Sequence, residues 1–171
     1  VANFRAYVHV TTGSAEAPVQ LPGAAPTFDD VYRSHYARMV VLARLMTGRL
    51  VLAEEIVQDA FVQLYRNWAS VEFPLTYVRI AVVNGCRQHS RKWALERRHR
   101  PSPPEPAVHD TVAIAVRDAL QVLTPRQRAA IVLRYFDDLP EREIADALGC
   151  RPGTVKSLLS RGITKLKGTL Q

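Results

Sequence analysis

The chain has 171 residues, and 47 % of them are hydrophobic, which suffices for one globular core or two small ones. Its 23 Lys and Arg against 16 Asp and Glu leave a formal charge of +7, which favours an anionic partner without choosing between nucleic acid and a membrane surface. The two cysteines, Cys86 and Cys150, stand far apart, which argues against a disulfide framework or a paired CxxC zinc site and fits a reducing cytoplasm.

The opening VANFRAYVHV lacks the charged start and apolar core of a signal peptide. Val1–Pro26 is rich in Ala, Pro, Gly and Thr without helical periodicity. It reads as a flexible tail, with a short extended piece at Tyr7–Thr11. Thr27 then caps a helix whose first turn holds Asp29 and Asp30, where acids favour the helix dipole. Phe28, Val31, Tyr32, Met39, Val40, Ala43 and Met46 follow at helical spacing, and Gly48 ends the helix. The apolar run MVVLARLM within it is short and carries Arg44, so no membrane insertion is expected.

A second helix is expected over Val51–Trp68. Ala53, Ile56, Val57, Ala60, Phe61, Leu64 and Trp68 form its apolar stripe. The opposite face carries Glu55, Gln58, Asp59, Val62 and Arg66. Such a face is ordinarily solvated, and Val62 in its middle is a mild sign of a protein partner. Pro74 suits the first turn of a third helix. At about 100° per residue, Leu75, Val78, Val82, Cys86 and Trp93 share one side, and Tyr77, Ile80, Asn84, Arg87, Gln88 and Arg91 the other. Lys92, Arg97, Arg98 and Arg100 follow. An aromatic, amides and spaced guanidiniums on one face suit a nucleic acid: arginine pairs with phosphate, amides read base edges and tyrosine stacks on an unpaired base. The plainer alternative is a solubilising basic surface.

Arg100–Asp110, RPSPPEPAVHD, contains Pro101, Pro103, Pro104 and Pro106, which forbid a regular helix and predict a stiff, extended linker. Helical patterning resumes with Val112–Leu123. Thr124, Pro125 and Gln127 then form a capping-box start for a helix carrying Ala129, Ala130, Ile131, Leu133 and Tyr135. FDDLP turns the chain, Glu141–Leu148 is a short helix, Gly149 breaks it, and Pro152 starts a last helix, Pro152–Lys167. Val155, Leu159, Gly162 and Leu166 face inward there. Gly153, Ser157, Ser160, Arg161 and Thr164 lie opposite, flanked by Thr154 and Lys156. Two helices, a glycine turn, and an acid-free second helix make a helix-turn-helix pattern, in which small residues allow close approach to a DNA groove. The expected fold class is all-α: two small helical domains, Thr27–His99 and Thr111–Gln171, joined by the Pro-rich linker Arg100–Asp110.

Three stretches carry a family resemblance. AEEIVQDAFVQLYRNW (Ala53–Trp68) is similar to region 2.2 of bacterial sigma factors of the extracytoplasmic-function (ECF) branch of the sigma-70 family. TYVRIAVVNGCRQHSRK (Thr76–Lys92) is similar to regions 2.3 and 2.4. Leu123–Lys167 resembles region 4, with LxxREIAxxLG joined in order to GTVKSxLSRG. The short N-terminal domain, the YVR start of the third helix and the length resemble a SigE-like actinobacterial subgroup. The resemblance implies that Glu54, Glu55, Gln58, Asp59 and Val62 dock on the beta-prime clamp helices of core RNA polymerase. It implies that Tyr77, Arg79, Asn84, Arg87, Gln88, Arg91 and Lys92 bind and help melt the promoter minus-ten element. Arg151, Gly153, Thr154, Lys156, Ser157, Ser160 and Arg161 would bind the minus-thirty-five element as duplex, with region 4 on the beta flap. A cytoplasmic protein, transcription initiation at promoters, an anti-sigma factor as a further partner, no cofactor and no catalytic residue go with it.

The chain departs from the family at Tyr77, where many members have tryptophan, and at Arg151, where a serine cap is common. It departs again at Leu158, where arginine is common. One rival is a helix-turn-helix regulator with a helical sensing domain, which would bind duplex without polymerase. The other is a helical nuclease. Its acid pairs Asp29/Asp30, Glu54/Glu55 and Asp137/Asp138 are adjacent in sequence and so diverge by about 100° on a helix. They compose no metal-binding spacing, and the histidines near them form no HExxH.

Overall fold

The computed structural model describes residues 26–96 and 111–169. The expected tail, the Tyr7–Thr11 piece, the Pro-rich linker and Arg97, Arg98 and Arg100 lie outside the described residues, as do the side chains of Lys92 and Trp93. All regular structure in the described residues is helical: α1 (Phe28–Thr47), α2 (Leu50–Arg66), a 3-10 turn (Trp68–Ser70), α3 (Pro74–Glu96), α4 (Thr111–Gln121), α5 (Pro125–Tyr135), α6 (Glu141–Leu148) and α7 (Pro152–Thr169).

The local signals set the ends. The Thr27 hydroxyl accepts from Asp30 N–H at 3.3 Å, and the Asp30 carboxylate accepts from Thr27 N–H at 3.0 Å. Thr124 and Gln127 repeat this reciprocal pair at α5, with Pro125 in the first turn. Such a cap contributes about 1 kcal/mol. Gly48 and Gly149 stop α1 and α6 at φ 78° and 58°, the left-handed region that an L side chain rarely adopts. Two helices end earlier than the pattern predicts. α2 stops at Arg66, because Asn67 turns the chain and Trp68 enters the 3-10 turn. α4 stops at Gln121, where the chain turns towards the Thr124 cap.

α1, α2 and α3 pack as one bundle around Met39, Leu42, Val57, Leu64, Val78 and Val82, all 0 % exposed. Burying each such side chain stabilises the fold by roughly 1.5–3 kcal/mol. Gly85 lets α3 press on α2: a Cβ there would stand 2.7 Å from Ile56 Cγ2. α5, α6 and α7 pack as a second bundle around Val132, Leu133, Ile144, Leu148 and Val155. At the bend between α6 and α7, Cys150 N–H reaches back to the Ala145 carbonyl at 2.9 Å, a Schellman-type closure that Gly149 permits.

Patterning alone does not anticipate that the two bundles join. α1 packs on α5 and α3 packs on α6, and the buried apolar residues of both form one continuous cluster. Four arginines tie the seam. Arg38 Nε donates to Asp137 Oδ1 at 3.0 Å, and its Nη2 to the Phe136 carbonyl at 3.0 Å. Arg79 Nε donates to Asp137 Oδ2. Arg87 Nη1 donates to the Leu148 carbonyl at 3.0 Å, and Arg128 Nη1 to the Met46 carbonyl at 2.8 Å.

Candidate nucleic-acid interface

α7 separates its two faces as its periodicity requires. Val155, Leu159 and Gly162 are buried against α5 and α6, while Leu166 is half-buried. A Cβ at Gly162 would meet Ile131 Cγ1 at 3.2 Å, so the glycine sets how closely α7 approaches α5. Arg151, Gly153, Thr154, Lys156, Ser157, Ser160, Arg161 and Thr164 are all exposed. Two hydroxyls fold back on their own helix: Ser157 donates to the Gly153 carbonyl at 3.1 Å and Thr164 to the Ser160 carbonyl at 3.0 Å. Their lone pairs still face outward as acceptors. Lys156 Nζ stands 3.9 Å from the Glu141 carboxylate, a loose exposed pair that leaves the ammonium available. Arg151 has no side-chain oxygen to cap the start of α7; it is exposed there and adds a cation to that face. Leu158 is half-buried and packs against the core, so it adds no polar group to the strip.

On α3 the candidate residues divide. Asn84, Gln88 and Arg91 are exposed. Tyr77 is half-buried, and its hydroxyl accepts from Asn67 Nδ2 at 3.3 Å. Arg79 is 9 % exposed and bound to Asp137, while Arg87 is half-buried and bound to the Leu148 carbonyl. Burial, then repulsion from Arg126 and Arg91, pulls the Arg87 guanidinium below the usual arginine range. Positive charge from α3 and α5 therefore gathers around one point of the seam.

On α2, Glu55, Gln58, Asp59 and Val62 are exposed and Glu54 is half-buried. Val62 is 47 % exposed and borders a groove of about 390 Å³ lined also by Phe28, Tyr32, Gln58, Phe61 and Tyr65. The groove rests on stacked and edge-on aromatic contacts, with Phe28 and Tyr65 centroids 5.1 Å apart. Sequence reasoning singled out Val62 but missed Tyr65, which is 68 % exposed. The signal was there: Tyr65 follows Val62 by three positions, the spacing of neighbours on a helix face.

The description "Sigma-70 region 2" matches residues 31–95 and "Sigma-70, region 4" matches residues 113–166. The ECF RNA polymerase sigma factor SigM of Mycobacterium tuberculosis is 31 % identical over 149 residues, covering 81 % of this chain and 74 % of that protein. The chain belongs to the sigma-70 family, in its ECF branch. The RNA polymerase sigma-E factor of Streptomyces avermitilis is 29 % identical over 157 residues, covering 87 % of this sigma factor and 88 % of the relative. At that moderate identity, the SigE-like actinobacterial subgroup is supported. In fold, this sigma factor resembles the sigma factor RpoE of Bartonella quintana, solved in complex with the anti-sigma factor NepR. The TM-score is 0.70 at 22 % identity, covering 84 % of this chain and 96 % of that one. It also resembles CnrH, solved with the cytosolic domain of CnrY, at a TM-score of 0.61 and 20 % identity, covering 84 % and 86 %. A sigma factor is not an enzyme, and the nuclease alternative ends there. Among the described residues no helix is long and apolar enough to cross a membrane.

Proposed function

We propose that this ECF sigma factor uses three separate surfaces in directing transcription initiation. The observation that carries the proposal is their separation: an acid-free exposed strip on α7, an amide and guanidinium face on α3, and a polar face with Val62 on α2. α7 binds the minus-thirty-five element as duplex through Arg151, Thr154, Lys156, Ser157, Ser160 and Arg161, with the backbone brought close at Gly153. α3 binds the single-stranded minus-ten element, with Asn84 and Gln88 reading base edges and Tyr77, Arg79, Arg87, Arg91 and Lys92 holding base and backbone. α2 docks on the beta-prime clamp helices of core RNA polymerase through Glu54, Glu55, Gln58, Asp59 and Val62. Residues 27–99 and 111–171 are the two functional units, the second docking on the beta flap, and the Pro-rich residues 100–110 thread the polymerase between the two promoter elements. A cytoplasmic location and an anti-sigma partner go with this reading. The two solved structures of similar fold, each bound to a partner of its own, motivate the latter.

Run-off transcription with purified core polymerase and a promoter library tests it. A transcript that depends on both the protein and the promoter sequence is expected. Absence of any such transcript, with no binding to core, overturns the reading. For the docking surface, Asp59→Arg should abolish core binding while leaving the fold intact, because it reverses the charge of an exposed side chain. Unchanged binding removes Asp59 from the interface.

A further inference from the structure

α1 begins beside an open aromatic groove. Phe28, its first residue, forms one wall, and Tyr32, Phe61, Val62 and Tyr65 complete it. The Phe28 ring meets Phe61 and Trp68 edge-on, with centroids 6.4 and 5.7 Å apart, and Tyr32 meets Phe61 at 5.0 Å. These rings fix one another, so the groove is preformed. It is also uncovered: Tyr65 is 68 % exposed, Val62 47 % and Tyr32 36 %. Apolar side chains gathered so openly mark a binding surface. The rim is acidic, since Glu55 and Asp59 are exposed on the same helix.

The sequence before the described residues carries a segment of matching chemistry. Asn3–Val10, NFRAYVHV, holds both aromatic residues of positions 1–25, and no acid stands before Glu16. In an extended conformation Phe4, Ala6, Val8 and Val10 share one face, with Arg5 and His9 on the other. The stretch from Thr11 to Thr27 that joins this segment to Phe28 spans up to roughly 60 Å when extended. α1, with 20 residues, is only about 30 Å long, so the segment can fold back along the groove. Its attachment holds it there at an effective concentration of order millimolar, so weak affinity suffices. A separate copy or a free partner lacks that advantage.

We propose that Asn3–Val10 occupies the aromatic groove between α1 and α2, with Phe4 and Val8 against Tyr32, Val62 and Tyr65 and Arg5 beside Asp59, and that core polymerase must displace it. The second half of the proposal rests on the reading of α2 as the polymerase-docking face. Val62 and Asp59 belong to both surfaces, so the segment and the polymerase compete for them. A groove filled by its own segment lowers the apparent affinity for core in proportion to the fraction left free.

The test uses the full chain in a Cys150→Ser background, with a nitroxide on Thr12→Cys and backbone amides read by NMR. Cys86 is 2 % exposed and takes the label far more slowly. The amides of Tyr32, Val62 and Tyr65 should broaden, and those of Ile144 and Val155, in the core of the second bundle, should not. A Phe4→Ser, Val8→Ser double variant of the labelled chain should lose that broadening. Both changes lie outside the helical bundles, so the fold is kept. No broadening, broadening spread evenly over the chain, or broadening that survives the double change overturns the docking. Equal broadening of one chain by the nitroxide of a separate chain overturns it too, since the occupant would then be a second copy. In titrations with core polymerase the unlabelled double variant should bind at least about 5-fold more tightly than the unaltered chain, the gain expected if the segment fills the groove in about four-fifths of the molecules. Equal or weaker binding overturns the competition. The sigma assignment fails separately, by the absence of a core-dependent transcript from the unaltered chain, which leaves the amide broadening in place.

Discussion

Arg128 Nη1 donates to the main-chain carbonyl of Met46 at 2.8 Å, across 82 residues of sequence and across the seam between the bundles. The rest of the guanidinium holds the carbonyls of Leu120, Gln121 and Leu123, at the end of α4 and in the turn before α5. Arg128 is 8 % exposed, and burial pulls its guanidinium below the usual arginine range. One side chain thus satisfies carbonyls from two bundles. Arg128→Met should destabilise the chain by roughly 2–4 kcal/mol, since several buried acceptors lose charge-assisted bonds together. Arg128→Lys should recover part of that, because a lysine cannot span the fork. Urea unfolding followed by circular dichroism measures both.

Gly85 is a packing requirement in the middle of a helix. An added Cβ would meet Ile56 Cγ2 at 2.7 Å, closer than side chains tolerate. Gly85→Ala should cost about 1–3 kcal/mol despite the better helix propensity of alanine. Ile56→Ala alone should also destabilise, but the double variant should lose less than the two losses added. Additive losses would show that the α2–α3 approach does not depend on this contact.

His35 gives the stability of the fold a pH dependence. Burial first, then repulsion from Arg38 and Arg79, lowers its imidazole below 6.5, while nearby Asp137 offsets part of that. The unfolded chain therefore takes up this proton at a higher pH than the folded chain does. Stability from this group is full above the unfolded value, falls as the pH drops below it, and levels off once the folded imidazole is also charged. Urea midpoints at about pH 7.5 and about pH 5.5 should differ more for the unaltered chain than for His35→Gln. Equal differences would remove His35 from the linkage.

The cations of α7 can be counted by salt. If Arg151, Lys156 and Arg161 hold phosphates, each change to alanine should reduce the slope of log affinity against log salt by about 1, on promoter and non-promoter duplex alike. Ser160→Ala should leave that slope unchanged. A slope indifferent to all three cations would place the DNA elsewhere.

The helices were legible because their signals are local. Thr27 with Asp30, Thr124 with Gln127, and the two glycine stops each act within a few residues, and the structure puts the caps and stops there. The exposed strip of α7 followed from its period, and so did the exposure of Asn84, Gln88 and Arg91. The seam was not legible. Asp137 reads in sequence as half of an adjacent acid pair in the FDDLP turn, and no motif singles out Arg128. Their burial depends on partners 58, 99 and 82 residues away, which no periodicity encodes. Arg79 comes to the minus-ten set only through the family resemblance, and in the structure it is buried in the seam on Asp137.

Cys86 is 2 % exposed, and burial pushes its thiol up to about 12. It lines the gap where Met46, Arg87 and Ser90 meet Pro125 and Ala129, residues contributed by both bundles. A thiol reagent should reach it when that gap parts, whereas Cys150 is partly exposed in the structure. The chain thus carries a built-in clock. The fast labelling of one cysteine gives the reagent's own rate, and the slow labelling of the other counts how often the two bundles let go.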